Sequence, residues 1–369
     1  MSSCNNLPLY LSVQSVVNSP GSAFPDGVHI LNPLEVADWD ATLGQFAAAT
    51  FFHTAAWARV LHGTYGYQPL YFTEVASGRF VSLLPVMEID SWLTGRRGIS
   101  LPFTDECAPL GDDAVSFQHL LEQILVQAGK RGWKYWEGRG GRSFMGDAPA
   151  STSFYGHRLV LLADEAALFA RVDSSVRRAV RKAEQSGLSI EFSQEMAAVR
   201  DFHVLLGKTR QRHGVPVQPF DFFANIQRHV LAEKQGWVVL ARQGGIPVAG
   251  AVFFHFGRGA IYKFGASDEA FQHLRANNLV MWSAIKRYAS EGFTSFDFGR
   301  TSLDNEGLRR FKLGWGTQEN LVEYFRHDSK AGRFVTARDE SSGWHNHVFR
   351  RMPRFLSRFV GRVLYKHIA

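Results

Sequence analysis

Asp297, Arg300, Glu306, Arg309 and Lys312 crowd into seventeen residues, Phe296-Asp-Phe-Gly-Arg-Thr-Ser-Leu-Asp-Asn-Glu-Gly-Leu-Arg-Arg-Phe-Lys, and the apolar anchors Leu313 and Trp315 follow. Opposite charges gathered at the end of a buried strand are the means by which α/β proteins build ligand sites. Transfer of an acyl group to an amine or hydroxyl needs a proton acceptor and a cation facing the developing oxyanion. Asp297 is the candidate acceptor or orienter, and Lys312 and Arg300 are the candidate cations. The competing role for Asp297 is an ion pair with Arg300 or Arg309 that holds the loop. Phe296-Asp297-Phe298 reads as the end of a buried strand that Gly299 breaks. Phe311 and Leu313, read as core anchors, push Lys312 outward into a cleft.

A second constellation is Arg177, Arg178, Arg181 and Lys182, four cations in six residues. Asp173-Ser174-Ser175 offers the cap for a helix over residues 177–186, and Gly187 closes it. Arg177 and Arg181 share a row, Lys182 lies in the neighbouring one, and such a face either holds phosphates or is solvated. Tyr262-Lys263 lies on a strand before Phe264-Gly265-Ala266. Lys263 snorkels to an edge or faces a cleft, and Tyr262 is a candidate donor to a carbonyl. Asn277-Asn278 opens a helix over 277–290, with Asn277 also readable as its cap. The fourteen histidines form no His-x-x-x-His or mixed Cys/His cluster, so no metal site is expected. Cys4 and Cys107 have no ligand spacing and fit a reducing cytoplasm.

The elements that position these residues are stated twice along the chain. The first set is a helix at 57–66, a hairpin of 69–75 and 80–89 around Ser77-Gly78, a helix at 117–129, and the strand Gly132-Trp133-Lys134-Tyr135-Trp136-Glu137. The second is a helix at 222–234, a hairpin of 237–241 and 248–256 around Gly244-Gly245, a helix at 277–290, and Gly292-Phe293-Thr294-Ser295-Phe296-Asp297. The glycine–aromatic–x–x–aromatic–acid ending recurs, which argues for duplication. Such units predict a mixed α/β (α+β) fold, with largely antiparallel sheets flanked by helices. The boundary is placed at 146–153, and residues 157–163 start the second sheet.

The pieces Phe51-Phe-His-Thr-Ala-Ala-Trp57, Leu83-Leu-Pro85, Val176 to Glu184, Phe264-Gly-Ala-Ser267 and Phe296 to Gly316 span roughly residues 50–325 in a fixed order. In that order the chain resembles the Fem-like acyltransferases, a branch of the GNAT superfamily that includes peptidoglycan bridge aminoacyltransferases. The nearer likeness is to Gram-negative members tied to polysaccharide or PEP-CTERM/exosortase clusters. The resemblance implies two tandem GNAT-like domains, 26–150 and 151–330, the second carrying most of the site, after a loose leader at 1–25. It implies that the basic helix with Arg177, Arg181 and Lys182 borders the substrate cleft, which suits a diphosphate-bearing acceptor or a tRNA phosphate; Tyr262, Lys263, Asn277, Asn278, Glu306 and Arg309 are the other candidate substrate-binding residues. It imposes no invariant catalytic base. Ordinary GNAT enzymes cradle coenzyme A on (Gln/Arg)-x-x-Gly-x-(Gly/Ala). Here His273-Leu-Arg-Ala-Asn-Asn278 stands in that place without the glycines.

The expectation is a cytoplasmic acyl or aminoacyl transferase acting on a cell-envelope or polysaccharide precursor. It holds no tightly bound cofactor, and its donor is an aminoacyl-tRNA, an acyl carrier protein or acyl-coenzyme A. The alternative is a non-catalytic GNAT-like scaffold of an envelope or export system. Residues 341–369 hold six cations, no acid, and six of the seven net positive charges, so the body is near neutral and not a general nucleic-acid binder. From Pro353 the spacing predicts a basic amphipathic helix within the tail 331–369, which either meets anionic lipid at the inner membrane or packs on the protein. No basic stretch precedes an apolar run in residues 1–25, so no signal peptide is expected.

Overall fold

The computed structural model describes residues 24–111, 114–336, 361 and 364–367. The first half contributes strands β1 (Gly27–Leu31), β2 (Gln68–Pro69), β3 (Tyr71–Ala76), β4 (Arg79–Leu84), β5 (Met87–Ile89), β6 (Arg97–Ile99) and β7 (Tyr135–Arg139), with helices α1 (Trp39–Leu43), α2 (Ala55–Tyr65) and α3 (Ala114–Arg131). The second contributes β8 (Thr152–Val160), β9 (Ser189–Ser193), β10 (Gly236–Gln243), β11 (Ile246–Phe256), β12 (Gly259–Ser267), β13 (Ser295–Ser302), β14 (Gln318–Asp328) and β15 (Arg333–Val335). Its helices are α4 (Glu165–Ala170), α5 (Ser174–Glu184), α6 (Met196–His213), α7 (Phe220–Ile226), α8 (Ala276–Ser290) and α9 (Glu306–Leu313). The helix expected over 222–234 is α7 followed by a π-turn at Gln227–Leu231.

One mixed sheet runs β2-β5-β6-β7-β14-β8-β13-β12-β11-β10-β9, and β1, β3 and β4 form a small sheet of their own. The expected second sheet beginning at 157–163 is therefore not separate. β14 returns to pair with β7 on one side and β8 on the other, which seals the halves into one surface. The order reads the same from both ends toward the β14–β8 pair. Two antiparallel pairings in the first half, and three in the second where β9 is added at the edge, lead to one parallel pairing, β6 with β7 and β12 with β13, bridged by α3 and α8. In the parallel pairs Ile99 stands opposite Glu137, and Ile261 opposite Asp297. Both hairpins turn through two consecutive left-handed residues, Ser77-Gly78 and Gly244-Gly245, the twist that a two-residue connection requires.

Trp57 of α2 is fully buried against Phe222 and Phe254, with ring centroids 5.9 and 5.8 Å away. The first helix thus packs on the second half, and one core spans the junction. A second core lies on the other face of the sheet, beneath α5 and α8. No helix among the described residues is long and apolar enough to cross a membrane. Of the amphipathic tail, Arg350, Arg354 and Arg358 lie outside the described residues. Its far end is docked: Tyr365 is buried, its hydroxyl donates to Pro216 O at 2.9 Å, and Arg97 donates to His367 O at 2.8 Å.

Candidate functional site

Phe296 and Phe298 are buried in the core under α8. Successive strand residues alternate faces, so Asp297 between them points to the opposite face, toward the junction of the halves. Gly299 does not end the strand. It forms a bulge: Asp297 pairs with Arg158, the ladder resumes at Arg300 with Gly156, and Phe298 and Gly299 together face His157. Gly299 has φ +70°, and its N–H donates to Asp297 Oδ1 at 2.6 Å. A Cβ there would come within 3.1 Å of Asp105 Cγ.

Lys312 is buried rather than outward-facing, and Leu313 is the exposed neighbour. The bulge leaves the carbonyls of Gly299 and Arg300 in need of donors, and Lys312 Nζ meets both, at 2.8 and 2.9 Å. Burial pulls its ammonium down to about 8, against the opposing pull of Asp105 and Asp297. Lys312 therefore fixes the bulge that sets Asp297 and places its charge just beneath it.

Arg300 stacks on Phe154 and Tyr324, 4.1 and 5.0 Å from the ring centroids, and its guanidinium makes no hydrogen bond or ion pair among the described residues. Neither Arg300 nor Arg309 pairs with Asp297. Arg309 grips Glu319 through two hydrogen bonds at 2.9 and 2.8 Å and also holds Glu306 at 3.2 Å, so Glu306 and Arg309 brace α9. Lys263 is buried in an ion pair with Asp105 at 2.7 Å. Burial alone would raise the Asp105 carboxyl, but Lys263, with Arg300 and Lys312 nearby, holds it below its ordinary value.

Tyr262 faces away from Lys263. Its ring packs on Phe253 and Phe298, and burial pushes its hydroxyl up to about 12. Asn277 and Asn278 open α8 on that same face, but the cap position is Arg275, left-handed at φ 59°, not Asn277. Arg177, which donates to Ala170 O at 2.8 Å, Arg181 over Phe169 and Lys182 line α5 beyond them. The structure thus brings Asp297, Lys312, Arg300 and Lys263 together, and leaves Tyr262, the asparagines and the α5 cations across the sheet.

Several site residues escaped the sequence reading. Asp105 and Glu106 sit on the loop after β6, which carries two left-handed non-glycine residues, Leu101 and Phe103. Such strain persists only where the surroundings over-determine it. Burial and the Asp297 charge push Glu106 up to about 7, against the pull of Arg158. Two cavities of about 320 and 340 Å³ meet at Arg139 and Arg300, one lined also by Arg210, Gln218 and Lys263, the other by Arg97, Glu137 and Arg326. Arg210 Nε and Gln218 Oε1 are buried without partners. The run Gly138-Arg139-Gly140-Gly141-Arg142 reads in sequence as a mobile loop that could touch phosphate; Arg139 instead ends strand β7 and lines both cavities.

Comparison of the duplicated strand ends separates the two acids. Glu137 takes Arg139 at 3.1 Å and Arg326, its register partner on β14, at 2.7 Å. Burial would raise its carboxyl, yet the two arginines hold it below the ordinary value. Asp297 stands in the equivalent place with Arg158 as register partner on β8, but the extra residue at the bulge turns Arg300 away, and Arg158 makes no bond to it. Asp297 keeps one backbone N–H, and burial raises its pKa. One copy of the motif is bound by two arginines, whereas the other keeps a carboxylate to which no cation is bonded.

Residues 170–326 match the model of an acetyltransferase (GNAT) domain. Lipid II:glycine glycyltransferases of Staphylococcus saprophyticus and Staphylococcus aureus are 32% and 33% identical over 88 residues, 22% of this chain and 21% of each relative. The chain thus matches about a fifth of the length of these curated relatives. Among solved structures, FemX aligns with a TM-score of 0.61 at 14% identity, covering 77% of this chain and 94% of FemX. The C-terminal domain of a putative lysylphosphatidylglycerol synthetase from Agrobacterium fabrum aligns with a TM-score of 0.51 at 15% identity, covering 83% and 91%. Residues 170–326 thus match a GNAT domain, in a chain whose fold is similar to that of FemX.

Proposed function

We propose that the chain is an acyl or aminoacyl transferase with two GNAT-like units, 26–150 and 151–330, the second carrying the chemistry. The observation that carries this reading is the asymmetry of the duplicated acids, with Glu137 locked by two arginines and Asp297 left free of them. In the reaction an amine or hydroxyl attacks the carbonyl of an ester or thioester. The new C–N or C–O bond forms, the bond to the leaving oxygen or sulfur breaks, and the nucleophile's proton passes through Asp297 to the leaving group. Arg300 faces the oxyanion or a phosphate, while Lys312 holds the bulge. The cations lining the paired cavities suit a phosphate-bearing substrate, whereas those on α5 lie on the other face of the sheet and outside this site.

Similarity to lipid II:glycine glycyltransferases supports an aminoacyl group as cargo and a cell-envelope precursor as acceptor. The missing glycine turn favours aminoacyl-tRNA over acyl-coenzyme A as donor, with acyl carrier protein the other candidate. The test is transfer of radiolabelled amino acid from a mixed aminoacyl-tRNA pool to isolated envelope precursors. Asp297→Asn is expected to lower transfer at least a hundredfold, with Glu137→Gln retaining it in its folded fraction. Equal loss in both variants would remove Asp297 as the proton acceptor.

A further inference from the structure

Asp297 also lines a third cavity, of about 320 Å³, which shares no lining residue with the pair that meets at Arg139 and Arg300. Its floor is apolar, from Phe51, Phe256 and Ile261, and its rim is made of small residues, Ala47 to Ala49, Gly257 and Gly259. Arg158 and Arg258 stand at its edge, both exposed, and neither guanidinium makes a hydrogen bond or ion pair among the described residues. The duplicated unit supplies a control. Arg326, which occupies the place of Arg158 in the first half, is bound to its acid at 2.7 Å. In the second half the same register brings an arginine opposite the acid, yet the pair is not made. A cation and a carboxylate on adjacent strands, with Cβ atoms about 5 Å apart, normally attract each other. Left apart on a concave, partly apolar surface, they offer one ligand a place for each sign of charge.

We propose that this cavity is the acceptor site and takes an amine that also carries an anionic group, the amine on Asp297 and the carboxylate or phosphate between Arg158 and Arg258. The inference rests on the transferase reading and adds the acceptor's class and its route. A neutral hydroxyl acceptor leaves both arginines unused. The cavity has room for a fragment the size of a dipeptide or an amino sugar. The nucleophile then approaches from the Phe51 side, leaving the arginine-lined cavities of the cleft to the other substrate.

Ligand-observed NMR titration tests binding without turnover. The probes are alanyl-alanine against its C-terminal amide, and glucosamine 6-phosphate against glucosamine, each with the full chain. The anionic member of one pair is expected to bind at least tenfold more tightly than its neutral mate. The dipeptide pair reports a carboxylate acceptor and the sugar pair a phosphate one. Arg158→Ser with Arg258→Ser should erase the preference while leaving the melting temperature unchanged, since neither side chain is bonded in the fold. Equal binding within both pairs, no binding of any probe, or a preference that survives the double substitution would overturn the proposal. Preference without any Asp297-dependent transfer would instead keep the site and sink the transferase reading.

Discussion

Replacing each duplicated acid by its amide should move stability in opposite directions. The Glu137 side chain is 7% exposed and its partners Arg139 and Arg326 are 10% and 34% exposed. Removing one partner of a buried ion pair typically costs about 3–5 kcal/mol. Water reaches Arg326, so the low end applies, about 3 kcal/mol for Glu137→Gln. At roughly 2 °C per kcal/mol for a chain of this size, the melting temperature should fall by about 6 °C at pH 7. Asp297→Asn removes a half-buried charge that no cation bonds, with Lys312 and Arg158 only nearby, and should raise the melting temperature by about 2 °C, or about 1 kcal/mol. The pH dependence follows from the two shifts. Glu137, held low in the folded state, contributes stability above the unfolded carboxyl value and loses it as pH falls through its folded pKa. Asp297, held high, binds its proton more tightly when folded, so its cost is present at neutral pH and disappears on acidification. The gap between Asp297→Asn and the parent chain should therefore close toward pH 4, as seen by scanning calorimetry. If both substitutions lower the melting temperature alike at pH 7, Asp297 is a structural acid like its counterpart, and the argument from asymmetry fails.

Lys312→Ala should cost about 2–4 kcal/mol, because two charge-assisted bonds to the bulge are lost in a buried place, and transfer should drop with it; denaturant titration beside the transfer assay separates the two effects. Calorimetry with acetyl-coenzyme A should show weak or no binding, and micromolar affinity would restore an ordinary acetyltransferase reading. Charge reversal at Arg350, Arg354 and Arg358 keeps the docked residues 364–367 and should abolish salt-sensitive sedimentation with anionic vesicles. Unchanged sedimentation would leave that stretch no role at a membrane.

Periodicity along the chain determined the mixed α/β character, the two hairpins, α3 and α8, and the paired strand endings. These rest on contacts between residues a few positions apart, which spacing reports directly. The chemistry-rich stretch from Asp297 to Lys312 was legible for the same reason, since charge density on a short segment needs no partner to be noticed. Its geometry was not. Phe311-Lys312-Leu313 reads as an outward lysine between two anchors, yet the unpaired carbonyls at the Gly299 bulge reverse it, and a bulge exists only once β8 gives β13 a register. Asp105 meets Lys263 across 158 residues of sequence. Glu137 is neutralised by Arg326 across 189, through a strand that returns from the far half to close the sheet. Local pattern wrote the same acid twice, and only the tertiary pairing decided which copy is locked by two arginines and which is left with no bonded cation.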